Sequence, residues 1–337
     1  MGYGHETSWL EPRFHRFLPF RLPIAHRLWP IARAYLACAI LPLMLSSCTA
    51  SPDMPPWFDS FQRLPIKTVA VGTQRIAYLD QGNGSPVILI HGFGGSMWQW
   101  EYQQAALSSA HRLITLDLLG SSLSDKPDLD YTPAELVTFL TNFMDALGID
   151  RASLIGNSMG AGLVLGMTLT HPDRVDRLVL IGGLPDKVRE KLTSPLIQRA
   201  IDTQAPVWLI RFGNWLVGRG PTRSVLQEIV HDPSLLTPAV IERSYRNRKQ
   251  SGFIAPVMAV ARSLPLWEDG FAKRLGEVSR PTLILWGAED RVFPPQMGRD
   301  LQATIAGSTF RLIPEAGHMP QWERPETVNP ILRQFLE

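Results

Sequence analysis

Beyond residue 64 the chain alternates short apolar runs with segments of helical spacing. Residues 67–71 and 75–80 alternate apolar and polar side chains on either side of Gly72-Thr73, as two half-covered antiparallel strands do. Residues 87–90, Val-Ile-Leu-Ile, are apolar throughout, which suits a strand covered on both faces. Similar runs recur at 113–116, 152–155, 178–181, 282–285 and 310–313. Helix-length segments lie at 133–147, 159–170, 295–305 and 326–336. Thr132 before Pro133, with Glu135 behind, marks a helix start. Strand and helix alternating in this way predict an α/β fold with a mostly parallel, doubly wound sheet and chemistry at the C-terminal strand ends.

The interval 184–276 breaks the rhythm. It has no convincing strand but carries Trp208, Leu209, Phe212, Trp215, Phe253, Met258 and Trp267 in helical patterns, and it is too long for a simple loop. It is expected to be a helical cap inserted after the 178–181 strand, its aromatics serving either its own core or the wall of a pocket. The chain thus divides into a leader (1–47), a tether (48–63), a first core part (64–183), the cap (184–276) and a second core part (277–337).

Charge adds an asymmetry. The formal net charge is +2, yet Arg13, Arg16, Arg21, Arg27 and Arg33 precede residue 48 against only Glu6 and Glu11, leaving 28 basic and 29 acidic residues elsewhere. That balance removes the electrostatic case for nucleic acid. Both cysteines, Cys38 and Cys48, lie at the leader's end, so the body has no internal disulfide and no thiolate metal site. No metal or cofactor signature stands out: Gly82-Asn83-Gly84 precedes a strand where a dinucleotide loop would open a helix.

The leader is basic over 1–33 and apolar over the 12 residues 34–45, the length of a signal h-region and well short of the roughly 20 that span a bilayer. It ends in Leu45-Ser46-Ser47-Cys48, which resembles the lipobox of bacterial lipoproteins. That resemblance implies lipidation at Cys48 and anchoring in the bacterial cell envelope, with the domain beyond the tether in the periplasm. Pro52, Pro55 and Pro56 give the following stretch the composition of a tether. The rival readings are an uncleaved amphipathic anchor or a mis-assigned start site.

Gly156-Asn157-Ser158-Met159-Gly160 falls between a buried strand and a helical run, where a serine on a sharp turn stands clear of the sheet and the glycines admit close backbone approach. Four further motifs accompany it in order: His91-Gly92-Phe93-Gly94-Gly95, Asp117-Leu118-Leu119-Gly120-Ser121-Ser122-Leu123-Ser124, Trp286-Gly287-Ala288-Glu289-Asp290, and Gly317-His318 with Glu323 and Pro325 beyond. Over residues 67–337 the sequence resembles the α/β-hydrolase superfamily. It departs at Ser122, where a glycine is common.

The resemblance implies Ser158 as nucleophile, His318 as general base and Asp290 as the carboxylate orienting it, with Glu289 and Asp186 as alternative acids. The backbone amides of Phe93 and Met159 map to the oxyanion hole, and His91 is expected to brace that loop through its ring. His111, His171 and His231 lack such context. The expected reaction is hydrolysis of a carboxylic ester in a small-molecule ester or acyl substrate through an acyl-enzyme. The nearest alternative is carbon-carbon bond hydrolysis of the meta-cleavage-product type, although those relatives often place tryptophan where Met319 stands. A non-catalytic binding protein on the same fold is a third reading.

Overall fold

A computed structural model of the protein describes residues 65–337, Pro185 excepted. The leader, the lipobox-like Cys48 and the tether lie outside the described residues. The first strands are β1 (Lys67–Val71), β2 (Gln74–Gln81) and β3 (Pro86–Ile90), followed by α1 (Gln104–Ser108) and β4 (Arg112–Leu116). Next come α2 (Pro133–Ala146), β5 (Ala152–Asn157), α3 (Met159–Thr170) and β6 (Val175–Ile181). Helices α4 (Val188–Lys191), α5 (Pro195–Asp202), α6 (Val207–Leu216), α7 (Gly220–Ile229), α8 (Pro238–Lys249) and α9 (Ile254–Gly270) intervene before β7 (Thr282–Gly287). The chain ends in α10 (Gln296–Thr304), β8 (Thr309–Ile313), α11 (Pro320–Glu323) and α12 (Pro325–Leu336).

The eight strands form one sheet in the order β1-β2-β4-β3-β5-β6-β7-β8. The β1–β2 and β2–β4 pairs are antiparallel and all others parallel. Side chains alternate between the two faces as strand geometry requires. Ile88, Ile90, Leu154 and Leu180 pack on one side with Leu140, Phe143 and Val164 from α2 and α3. Val87, Leu89, Ile155 and Val179 pack on the other with Leu107 of α1 and Val328 and Leu332 of α12. Burial on both faces explains why the central strands read as uninterrupted apolar runs. Helix α2 begins with a capping box, in which Thr132 Oγ1 accepts from the Glu135 amide and the Glu135 carboxylate accepts from the Thr132 amide at 2.8 Å.

Among the described residues no strand lies between β6 and β7, and α4–α9 fill that interval as the cap. Its aromatics separate into two groups. Phe253, Met258 and Trp267 are buried, whereas Trp208, Leu209, Phe212 and Trp215 are exposed and belong neither to a cap core nor to the wall of the cavity that Ser158 lines. Apolar periodicity fixes which residues share a helix face, and says nothing of whether that face is covered.

Candidate active site

Ser158 sits between the last residue of β5 and the first of α3 with φ 55° and ψ −118°, a conformation costing about 1–3 kcal/mol in a non-glycine residue. Its amide donates to the Ile181 carbonyl at 2.8 Å and its carbonyl accepts from Gly162 at 3.1 Å, so the turn is held from both sides. The flanking glycines are sterically required. A Cβ on Gly156 would lie 2.3 Å from the Gly160 carbonyl carbon, and one on Gly160 2.3 Å from the Ile90 carbonyl oxygen.

His318 follows β8 and Asp290 follows β7, and the structure joins them: His318 Nδ1 donates to Asp290 Oδ2 at 2.8 Å. The side chain of Asp290 is wholly buried and that of His318 is 6% exposed. The other Asp290 oxygen accepts the amides of Val292 at 2.8 Å and Phe293 at 3.0 Å, which fixes the carboxylate plane. Phe293 also sets its ring edge-on to the imidazole at 5.6 Å. The His318 amide donates to Ile229 of the cap at 2.7 Å, while its carbonyl accepts from Asn157 Nδ2 at 3.0 Å. Asn157 precedes Ser158, so this side chain ties the elbow to the histidine loop.

Glu323 closes that loop. Its Oε1 accepts the amides of Gly317 at 3.0 Å and Met319 at 3.2 Å, and its Oε2 accepts the His231 amide of the cap at 2.7 Å. Burial raises its pKa against these three bonds. The end of β7 packs hard on the same loop, for a Cβ on Gly287 would lie 1.9 Å from the Gly317 carbonyl oxygen.

The glycine-rich loop after β3 borders Ser158; a Cβ on Gly92 would stand 3.3 Å from the Ser158 Cβ. The Gly92 amide donates to Gln99 Oε1 at 3.0 Å. His91 is fully buried, its Nδ1 donating to the Gly92 carbonyl at 2.8 Å and its Nε2 accepting the Leu118 amide at 3.1 Å. Acceptance at Nε2 requires the neutral ring, and burial lowers its pKa to about 4. Asp117 accepts the amides of Met97 at 2.7 Å and Leu123 at 3.0 Å, and burial pushes it up to about 6. Ser122, the departure from the usual glycine, keeps a left-handed φ of 41° and hydrogen bonds to Asp117 through its side chain. From the cap, Asn247 Nδ2 donates to the carbonyls of Gly94 at 3.1 Å and Gly95 at 3.3 Å.

Ser158, His318, Phe93 and Met159 line one cavity of about 180 Å³. Met159 opens α3, so its amide is among the N-terminal donors that a helix leaves without an internal acceptor. The remaining wall is almost entirely aliphatic, from Leu184, Ile197, Ile201, Val225 and Leu264 of the cap and Val292, Phe293 and Met319 of the core, with no lysine or arginine. The alternative acids lie elsewhere. Glu289 accepts the Ala316 amide at 3.1 Å, and Asp186 pairs with Lys191 at the surface. Sequence reasoning missed Gln99 and Asn247, which fix the glycine loop; an amide side chain within a helix carries no motif that could have flagged them.

A family model described as alpha/beta hydrolase fold matches residues 85–325. The chain is 28% identical over 268 residues to a 2-hydroxy-6-oxo-6-phenylhexa-2,4-dienoate hydrolase of Burkholderia cepacia, covering 78% of this chain and 91% of the relative. It is 31% identical over 279 residues to a 2-hydroxy-6-oxononadienedioate/2-hydroxy-6-oxononatrienedioate hydrolase of Klebsiella pneumoniae, with the same coverage of 78% and 91%. Among solved structures, a meta-cleavage product hydrolase from Pseudomonas fluorescens superposes with a TM-score of 0.69 at 27% identity, over 80% of this chain and 97% of that one.

These relatives correct the expectation of carboxylic ester hydrolysis, because the compounds in the first two names are keto-enol carboxylates that contain no ester, and the solved structure is named for a meta-cleavage product. The physical reason is that a serine, a base and two amides serve acyl transfer whatever the leaving group. The motifs that carried the expectation therefore do not report which bond breaks. With its sheet order, its elbow and a family match over most of its length, the chain belongs to the alpha/beta hydrolase fold family and is a hydrolase of that family.

Proposed function

We propose that the protein hydrolyses the carbon-carbon bond beside the ketone of a 2-hydroxy-6-oxo-dienoate whose group on C6 is apolar. The observation that carries this reading is the names of the relatives, together with a cavity whose wall is aliphatic around Ser158 and His318. The two relatives differ at the C6 end, where one substrate name places a phenyl ring and the other a second carboxylate. A wall without lysine or arginine disfavours a second buried carboxylate beyond the one that both compounds carry at C1, since it would lack a partner to offset its desolvation. The phenyl-type substrate fits that wall.

In this mechanism the dienol first moves its hydroxyl proton to C5, giving the 2-oxo form. Ser158 Oγ then bonds to C6 while His318 Nε2 takes the serine proton, and the amides of Phe93 and Met159 hold the oxyanion. Asp290 fixes His318 with its proton on Nδ1 and stabilises the imidazolium. Collapse breaks the C5–C6 bond. Its electron pair passes to the 2-oxo oxygen, which takes the proton from His318 and leaves as 2-hydroxypenta-2,4-dienoate. Water, deprotonated by His318, opens the acyl-serine and releases the carboxylic acid, so that one water is consumed per bond broken.

The test follows the dienoate chromophore with 2-hydroxy-6-oxo-6-phenylhexa-2,4-dienoate and 2-hydroxy-6-oxononadienedioate in parallel. The expected result is turnover of the phenyl compound with kcat/KM at least about tenfold higher, lost in Ser158→Ala. Failure to bleach either compound, by protein whose Ser158 still reacts with a fluorophosphonate, rejects the proposal.

A further inference from the structure

Helix α6 (Val207–Leu216) presents its apolar face to solvent. Trp208, Leu209, Phe212, Trp215 and Leu216 fall at positions i, i+1, i+4, i+7 and i+8, so they share one stripe. Trp208 is 68% exposed and Leu209, the least exposed of the five, is 44%. A surface helix ordinarily turns such a stripe inward. Here Val207, Ile210, Gly213 and Asn214 occupy the inner side, and the two aromatics Phe212 and Trp215 stack on each other at 6.0 Å. A contiguous apolar patch of this kind marks an interaction surface.

The charges around the stripe indicate what covers it. Residues 203–227 contain Arg211, Arg219 and Arg223 and no aspartate or glutamate. Arg211 lies on the helix at the edge of the stripe and lines a cleft on each side of it. The cleft of about 670 Å³ adds Arg262 and Lys126, together with Asp128 and Asp130. The cleft of about 340 Å³ adds Lys249, whose ammonium also binds the Trp215 carbonyl at 3.0 Å at the end of the helix. Arg219 is paired with Glu242 on α8, while Arg211 and Arg223 are exposed. Aromatic and aliphatic side chains on one face, rimmed by cations, are the composition of a helix that lies in the headgroup layer of an anionic membrane. A contact between two copies of this chain over the patch would face one net-positive rim with another, which disfavours a second copy.

We infer that α6 is a membrane-docking helix, seating Trp208, Leu209, Phe212, Trp215 and Leu216 among the lipids of an anionic bilayer while Arg211 and Arg223 meet phosphate headgroups. The inference is independent of which bond Ser158 cleaves. Docking would set the cap beside the bilayer with α5 and α7, which supply Ile197, Ile201 and Val225 to the cavity wall, on either side of the buried helix in sequence. An apolar substrate dissolved in the membrane would then have a short path to the cavity. With ten residues α6 is too short to cross a bilayer, so the contact it makes is with one face.

The experiment uses the full chain with Cys38→Ser and Cys48→Ser, labelled with an environment-sensitive fluorophore at Phe212→Cys on α6 or at Gln302→Cys on α10. Both positions are exposed, so both variants are expected to fold. Vesicles of equal parts phosphatidylcholine and phosphatidylglycerol are added. The expected result is a blue shift and several-fold brightening of the label at 212 but not at 302, with quenching by brominated lipid and a much weaker response to phosphatidylcholine alone. Sedimentation with vesicles while the 212 label stays in water would mean that another segment alone holds the protein, and would overturn the inference. A blue shift at 212 without vesicles would do so as well, since the stripe is then covered by protein. Equal brightening on both vesicle types would remove the role given to the arginines.

Discussion

Asp290→Asn is the substitution whose outcome the geometry determines most closely. One oxygen of Asp290 accepts two amides, from Val292 and Phe293, and the other accepts His318 Nδ1–H. An asparagine keeps its carbonyl oxygen on the two amides, which turns its NH2 towards Nδ1. Reversing the amide would leave two buried N–H groups facing an NH2, at about 1–3 kcal/mol each, so the reversed form is populated to roughly 3% or less. In the favoured form Nδ1 must accept, the ring proton moves to Nε2, and His318 cannot take the proton of Ser158. That alone lowers turnover at least about 30-fold. Losing the charge that stabilises the imidazolium brings the total to about 10⁴, or about 5.5 kcal/mol of transition-state stabilisation. The assay is steady-state loss of the dienoate chromophore, with fluorophosphonate labelling of Ser158 and thermal melting in parallel. The melt should shift little, because a buried charge is removed without loss of its amide bonds. A variant that turns over within tenfold of the wild type would refute the assignment of Asp290 as the orienting acid.

Three further predictions concern the loops that carry the site. Glu323→Gln turns an NH2 towards one of three backbone donors and is expected to cost about 1–3 kcal/mol in urea unfolding, with turnover falling about tenfold as the His318 loop loosens. Gly287→Ala, which places a Cβ on the Gly317 carbonyl, is expected to destabilise by more than about 3 kcal/mol, read as a lowered melting temperature. The third is a pH dependence. His91 is held at about 4, below its value of 6.5 when unfolded, so its contribution is present above about 6.5 and is lost as pH falls towards 4. Asp117, raised from 3.8 to about 6, acts oppositely: its contribution is present below 3.8 and is lost as pH rises through 6. Each is worth on the order of 3 kcal/mol, so between pH 4 and 6 they largely offset each other. Asp117→Asn should remove the offset and make stability fall more steeply with acid, as measured by urea midpoints across that range; an unchanged slope would contradict the assignment.

The elements were legible in sequence where a single physical constraint dominates. Central strands covered on both faces have no choice but continuous apolar runs, and the steric demands at Gly156 and Gly160 write the elbow directly into the chain. The Thr132 cap was equally readable, since a capping box is local. Features that depend on distant partners were not. Gln99 acquires its role only when the chain after β3 turns back on Gly92, Asn247 only when the cap meets the glycine loop, and the outward stripe of α6 has the same periodicity as an inward one. The reaction itself was misread because Ser158 and its partners are common to ester and carbon-carbon hydrolysis. What separates the two lies in the leaving group and the cavity wall, which no motif encodes.

The central claim is that Ser158 becomes acylated while the carbon-carbon bond breaks. Mixing the protein with 2-hydroxy-6-oxo-6-phenylhexa-2,4-dienoate, quenching within the first turnover and mapping the peptides by mass spectrometry measures this directly. A benzoyl group on the Ser158 peptide, decaying as benzoate accumulates, is the predicted result. Benzoate formed with Ser158 unmodified at every time point, or formed equally well by Ser158→Ala, would contradict it.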